Sequence, residues 1–379
     1  MTVHAPNRAA ETAVRLLLFS DVHLDTPFAW APQDLARKRR QALRDTVARI
    51  VELAVETTPT AVLCGGDLYE HDRFSPDTGE FLRAMFERLH PTLVLIAPGN
   101  HDWYGPESLY HRVKWSPNVH VFSHDRLSPL SLAEGVTMWG AAHCAPASAT
   151  GFLDRFHVDR GGVHLALFHG SERSLFLLEG DGKAIHAPFD AGQIEQAGLH
   201  HAFLGHYHRP RDADYYTYPG NPDPLTFGED GERGVVIATC SHNGTIMRER
   251  RRVAGSDVHD LNVDLTGCEN RQEVLERVTK AVIPLRGVAR VTLVGEIGTM
   301  VDVRLEDLRR EELAPNLDGL VARIQTRPTY DFDTIAQEPT VRGQFVRDVR
   351  ASLLPEDERL RVLVTGLRAL EGRDDLEVP

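Results

Sequence analysis

The chain has 379 residues, 42% hydrophobic and 26% charged, the balance of a globular protein long enough for two domains. Asp and Glu number 55 against 42 Lys and Arg, and the formal charge of −13 argues against a protein that coats nucleic acid with a general positive field. No apolar run approaches the ~20 residues that span a bilayer, and the start lacks a signal-peptide pattern. Four scattered cysteines without a Cys-x-x-Cys pair fit a reducing cytoplasm better than a disulfide framework.

After a tail at 1–13, Arg15-Leu-Leu-Leu-Phe19 is apolar, too short for a helix and stopped by Ser20-Asp21, the pattern of a buried strand. A helix is expected over 34–55, where Leu35, Leu43, Val47, Ile50, Val51 and Ala54 recur at helical spacing. A second strand over 60–64 stops at Gly65-Gly66. A helix over 81–89 follows, and a third strand over 92–96 stops before Pro98-Gly99. Alternating strands and helices are the signature of α/β layers.

Beyond Tyr104, short apolar segments at 119–122, 136–140, 163–168, 201–204 and 235–239 are expected to add strands. The Arg- and Gly-rich stretch 248–255 reads as a linker. Past it, strands over 261–265, 289–294 and 320–325 with helices over 272–283 and 305–313 make a small α/β unit. Two last helices, over 341–353 and 356–370, carry single apolar faces. The expected division is a tail at 1–13, a main domain at 14–255, a smaller domain at 256–338 and terminal helices at 339–379.

Chemistry-bearing residues stand where strands stop: Asp21 and His23 after the first, Asp67 after the second, and Asn100, His101 and Asp102 after the third. His169, and then His206 and His208, follow later strands. In open α/β sheets the carboxyl ends of strands converge on one rim, so residues distant in sequence should meet there. Carboxylate, imidazole and amide oxygen together suit manganese, iron, cobalt or zinc. Asp67 is placed to bridge two such ions, and His101 to donate a proton with Asp102 orienting its ring.

The ordered blocks Asp21-x-His23, Gly66-Asp67, Gly99-Asn-His-Asp102, His169 and Gly205-His-Tyr-His208 resemble the calcineurin-like metallophosphoesterases. The following Arg209-Pro210 and the run Tyr218-Pro-Gly-Asn-Pro-Asp-Pro-Leu-Thr-Phe-Gly228 resemble the SbcD-type DNA repair nucleases. That resemblance implies a four-layer sandwich, with two central mixed β-sheets flanked by helices, and a smaller α/β capping domain. It implies two divalent ions, manganese foremost: one held by Asp21, His23, Asp67 and His208, the other by Asp67, Asn100, His169 and His206. It further implies DNA as substrate, a coiled-coil ABC ATPase of the SbcC type docking on the C-terminal helices, and a homodimer. Where some members of that family carry a histidine three residues after the bridging Asp, this chain has Glu70 with His71 beside it.

Other readings stay open at this point. The same chemistry would serve a small phosphodiester, a phosphomonoester or a phosphoprotein, and a catalytically silent DNA- or ATPase-binding subunit would keep the fold. Glu70, His71, Arg209 and Arg211 are placed to touch substrate, as is the cationic run Arg37-Lys-Arg-Arg40 with Arg44 and Arg49, although a solvated helix face is the commoner meaning of such a run. Tyr69, Phe74, Trp103 and Tyr104 could stack on bases, although packing under loops is the commoner role. His143 carries no spacing that marks it as a ligand.

Overall fold

The computed structural model describes residues 12–175, 185–229, 231–298, 301, 303–305, 308 and 310–371. The chain divides into two compact units, 1–258 and 259–379.

In the first unit β1 (Thr12–Phe19), β2 (Ala61–Cys64), β3 (Leu93–Ile96) and β4 (Val119–Val121) run parallel. Antiparallel β11 (Gly234–Ser241) and β12 (Ile246–Arg252) extend the sheet beyond β1, in the order β12-β11-β1-β2-β3-β4. A second six-stranded sheet combines β5 (Ser128–Ala133), β6 (Val136–Gly140), β7 (Val163–His169), β8 (His201–Gly205), β9 (Arg211–Asp212) and β10 (Tyr216–Tyr218). Its order is β5-β6-β7-β8-β10-β9, parallel except at the two outer strands.

The period of two along β1 shows how the layers form. Leu16 and Leu18 face a cluster shared with Leu63, Leu95, Met138, Leu165 and Phe203, which fills the space between the sheets. Leu17 and Phe19 point the other way, under helices α1 (Gln33–Thr57) and α2 (Pro76–Glu87). Leu43, Val47, Ile50 and Val51 of α1 meet them, as the helical spacing requires. The outer face of the second sheet is covered by a third cluster that includes Ile194 of the short helix α4 (Ala191–Gln196); α3 spans Leu109–Arg112. The result is a mixed α/β sandwich of two large sheets flanked by helices, as expected.

Two expectations need correction. The segment 248–255 is not a linker, because most of it is the edge strand β12, paired along its length with β11. Its arginines are consistent with a strand: Arg248 donates to the Ala213 carbonyl, and Arg250 to the Pro219 carbonyl and Asp212. The helix expected from 81 opens earlier, on Pro76, whose fixed φ suits a first turn. Strand β5 and helix α7 (Phe332–Gln337) were not anticipated, each being too short for a clear period.

In the second unit β13 (Val258–Asp264), β14 (Gly287–Val294) and β16 (Leu317–Ile324) form a small sheet, and β15 (Glu296–Gly298) pairs with β17 (Arg327–Thr329). Helix α5 (Arg271–Val282) buries Val274, Val278 and Val282 in the cluster that includes Val291 and Leu293. Of the helix expected over 305–313, α6 covers Arg310–Leu313, while 306, 307 and 309 lie outside the described residues. A separate cluster of Tyr330, Ile335, Val346, Leu363 and Leu367 joins α7 to α8 (Val341–Arg350) and α9 (Glu356–Leu370). Among the described residues no helix is long and apolar enough to cross a membrane.

Candidate metal centre

Strand ends β1, β2, β3, β7 and β8 lie side by side in the two sheets, and their polar residues meet at one rim. Asp67 occupies the middle. Its Oδ2 lies 3.6 Å from His23 Nε2 and 3.3 Å from His169 Nε2, while its Oδ1 accepts the His101 backbone N–H at 2.9 Å. One ligand atom each from Asp21, His23 and His208 lie within 4.8 Å of one another, as do atoms from Asp21, Asp67 and His169. The His206 ring packs edge-on against His169 with centroids 5.2 Å apart, and its backbone N–H donates to Asp21 Oδ1 at 3.1 Å.

The backbone that delivers these groups is strained. Asp21, His23, Asp67 and His206 all have positive φ, at 55°, 51°, 51° and 118°, where L-residues with side chains are disfavoured. Such strain persists only where surrounding bonds fix it, and it gathers at functional sites. Here Asp21 and His23 are pinned by backbone hydrogen bonds to the Gly66 and Asp67 carbonyls. Gly66, at φ 97°, can carry no side chain, because a Cβ would lie 2.8 Å from His169 Nδ1.

Partners behind the rim orient the rings. Glu70 receives His23 Nδ1 at 2.7 Å on one oxygen and His101 Nδ1 at 3.0 Å on the other. Glu229 receives His208 Nδ1 at 2.7 Å, and His169 Nδ1 meets the Gly65 carbonyl at 2.8 Å. In all three candidate ligands Nδ1 is engaged and Nε2 is left to face the centre, the arrangement that fixes a metal-binding tautomer. The fit to divalent cations rests on atoms of this chain: His23 Nε2, His169 Nε2 and Asn100 Oδ1 are sealed from water and make no hydrogen bond among the described residues. Buried polar atoms are normally paired, and a mixed nitrogen and oxygen set of this kind suits a transition metal.

Electrostatics point the same way. Burial works against the charged form of Asp67, yet the charges of His169 and then His23 hold its carboxyl well below the usual range. For His23 burial opposes protonation, but the Glu70 hydrogen bond and the Asp67 charge raise it to about 9. His169 is likewise raised to about 9, against burial, by the Asp67 charge. The pattern is of a negative centre that favours positive charge beside Asp67.

The expected role of Asp102 is corrected. It is fully buried and makes no bond to the His101 ring. Its Oδ1 accepts the Gly99 and Asp67 backbone N–H groups, and its Oδ2 accepts Leu68 N–H and the Tyr110 hydroxyl. It therefore clamps the loops that carry Asp67 and Asn100, and the residue that orients His101 is Glu70. Arg211 lies in edge strand β9, paired with Tyr218, and Arg209 is exposed. His71 stacks on Trp103. The cationic run on α1 is not a free face: Arg39 is buried against Asp223 and the Pro224 carbonyl, Arg44 bonds Asp77, and Arg49 bonds the Val253 carbonyl.

Sequence reasoning missed several neighbours. His143 is buried, and its Nε2 meets the His169 carbonyl at 2.8 Å. His186 packs on His206 at 5.6 Å. Glu229 and Asn221 bond each other at 2.6 Å beneath His208, whose carbonyl accepts from the buried Arg233. None carried a periodic or spacing signal; only the Gly-Asn-Pro turn at Asn221 marked that loop as unusual.

A strained rim of carboxylates and Nε2-presenting histidines between two mixed sheets defines a metallophosphoesterase. Residues 14–223 match the calcineurin-like phosphoesterase family, and the chain belongs to it. It is 26% identical over 281 residues to the uncharacterized metallophosphoesterase YhaO of Bacillus subtilis (strain 168), covering 70% of this chain and 67% of that protein. It is also 26% identical over 310 residues to the DNA double-strand break repair protein Mre11 of Methanopyrus kandleri, covering 71% of this chain and 63% of that one. The match thus spans about two thirds of each relative's length. The crystal structure of TT1561 of Thermus thermophilus aligns with TM-score 0.35 and 12% identity, over 63% of this chain and 99% of that chain.

Proposed function

We propose that this chain is a two-metal phosphodiesterase that cuts DNA in repair or end processing. The observation that carries the reading is the Asp67 carboxylate, whose Oδ2 faces His23 Nε2 at 3.6 Å and His169 Nε2 at 3.3 Å, as a carboxylate shared by two ions must. Asp21, His23, Asp67 and His208 would hold one cation, and Asp67, Asn100, His169 and His206 the other; the donor set suits manganese, iron, cobalt or zinc, and the resemblance to the SbcD-type nucleases puts manganese first. Two such cations, when bound, supply an activated water and neutralise charge on the phosphoryl oxygens.

The remaining steps belong to the chain itself. His101, with its side chain 47% exposed, is the one histidine of the rim held by Glu70 yet open to solvent. The Glu70 hydrogen bond, against burial, raises its pKa, which favours the protonated ring that a donor to the departing alkoxide requires. Asp102 keeps the Asp67 and Asn100 loops in place throughout.

The DNA assignment draws on the similarity to Mre11, named a DNA double-strand break repair protein. A partner of the SbcC type would dock on α8 and α9, which bury Val346, Leu363 and Leu367 and leave Val341 and Leu360 exposed, as is Leu353 in the turn between them. Incubating end-labelled single- and double-stranded DNA with the pure protein, with and without manganese, tests the reading. Manganese-dependent cleavage is expected; hydrolysis of an aryl phosphodiester with DNA left intact would reassign the substrate to a small molecule.

A further inference from the structure

We propose that Trp103 is a stacking platform for a nucleobase, placed on the leaving-group side of the scissile phosphate. The inference rests on the phosphodiesterase reading and adds to it a contact with the base of the substrate as well as with its phosphate. Three rings, Tyr69, His71 and Trp103, follow one another on the two loops that a backbone bond from His71 to His101 ties together. Tyr69 is the root: fully buried, its hydroxyl accepting the Leu109 N–H at 2.9 Å, its ring wedged edge-on between Phe74 at 5.2 Å and Tyr110 at 5.3 Å. His71 is offset from Tyr69, with centroids 6.4 Å apart and planes 28° apart. Trp103 lies over His71, at 3.8 Å and 26°.

Tyr69, Phe74 and Tyr104, the other aromatics near the rim, pack into the apolar core beneath the loops. Trp103 is partly exposed and, among the described residues, belongs to no apolar cluster and has no ring on it other than His71. The His71 backbone N–H donates to the His101 carbonyl at 2.9 Å, so the loop bearing the stack and the loop bearing the proton donor are tied together. Between His101 and Trp103, Asp102 is anchored by four hydrogen bonds. The indole is therefore held in advance, and a ring that stacks on it meets a surface with little conformational entropy left to lose.

A flat, π-faced group two positions along the chain from His101 matches a nucleotide, in which a base and a phosphate are joined at fixed reach. A phosphoserine peptide or an alkyl phosphodiester offers no ring for that face. Because His101 protonates the leaving oxygen, the base that reaches Trp103 is the one on the leaving nucleotide.

The test pairs a protein change with a substrate change. A short single-stranded oligonucleotide and its counterpart lacking only the base on the leaving side are compared as substrates with manganese. Wild-type kcat/KM should favour the intact oligonucleotide by roughly 5- to 150-fold, the range of base–aromatic stacking. Trp103→Ala and Trp103→Leu should erase that preference, and Trp103→Phe should restore it, with thermal melting used to check each fold. An unchanged preference in Trp103→Ala, or an equal loss on both substrates, would overturn the platform. Indole fluorescence provides a reading that needs no turnover. Quenching by the intact oligonucleotide, absent with the base-less one and absent in Trp103→Phe, is expected; equal quenching by both oligonucleotides counts against the proposal. If the wild type cleaves nothing, the phosphodiesterase reading fails on its own, while the quenching still decides the stack.

Discussion

Glu229 Oε1 lies 2.7 Å from His208 Nδ1, and its other oxygen accepts Asn221 Nδ2 at 2.6 Å and Leu225 N–H at 2.7 Å. One carboxylate thus fixes both the tautomer of a candidate ligand and the loop above it. Removing such a partner commonly lowers metal affinity or activity by about 10- to 100-fold. Glu229→Gln keeps the shape and removes the charge, so manganese affinity by titration calorimetry should fall within that range without loss of fold. Affinity equal to wild type would show that His208 needs no such support.

Glu70 shares its two oxygens between His23 and His101, which couples a candidate ligand to the proton donor. His101→Ala should keep manganese affinity and lose about 10²- to 10⁴-fold in kcat, the usual worth of a positioned acid. Asp67→Ala should instead lose metal itself, because both flanking Nε2 atoms face that carboxylate. Glu70→Gln can accept from only one ring and should lower both quantities. Turnover by His101→Ala equal to wild type would remove the assignment of the proton donor.

Protonation of the metal-free centre sets a pH dependence with a definite sign. His23 and His169 are both raised to about 9 from an ordinary value of 6.5. Burial opposes each charge, and the Glu70 bond and Asp67 charge for His23, and the Asp67 charge for His169, outweigh it. A group raised on folding stabilises fully below its unfolded pKa and ceases to do so as pH passes its folded one. Metal-free protein should therefore lose melting temperature between pH 6.5 and about 9. Ions require neutral imidazole, so loading must expel these protons and tighten as pH rises. Calorimetry in buffers of different ionisation enthalpy should show proton release near neutral pH; identical heats in every buffer would contradict the assigned charges.

Much of this architecture was legible in residue order. Strand β1 announced itself because Leu16 to Phe19 are apolar and stop at Ser20-Asp21, and α1 because its apolar residues recur every third or fourth position. Edge strand β12 was misread, since its arginines bond to residues 31 to 38 positions away that no local window contains. Asp102 was misassigned for a related reason: adjacency to His101 suggested contact, whereas the turn directs its carboxylate inward to Gly99, Leu68 and Tyr110.

The identities of Asp21, His23, Asp67, Asn100, His169, His206 and His208, and their positions at the ends of strands, were determined by the sequence alone, because parallel strands must present their carboxyl ends together. Which nitrogen each ring offers was decided only by the tertiary structure. Glu70, Glu229 and the Gly65 carbonyl reach those rings from 47, 21 and 104 residues away, and the positive φ angles exist only where distant backbone holds them. Local patterns encode period and composition, whereas tautomer and strain are properties of contacts that form only once the two sheets have packed.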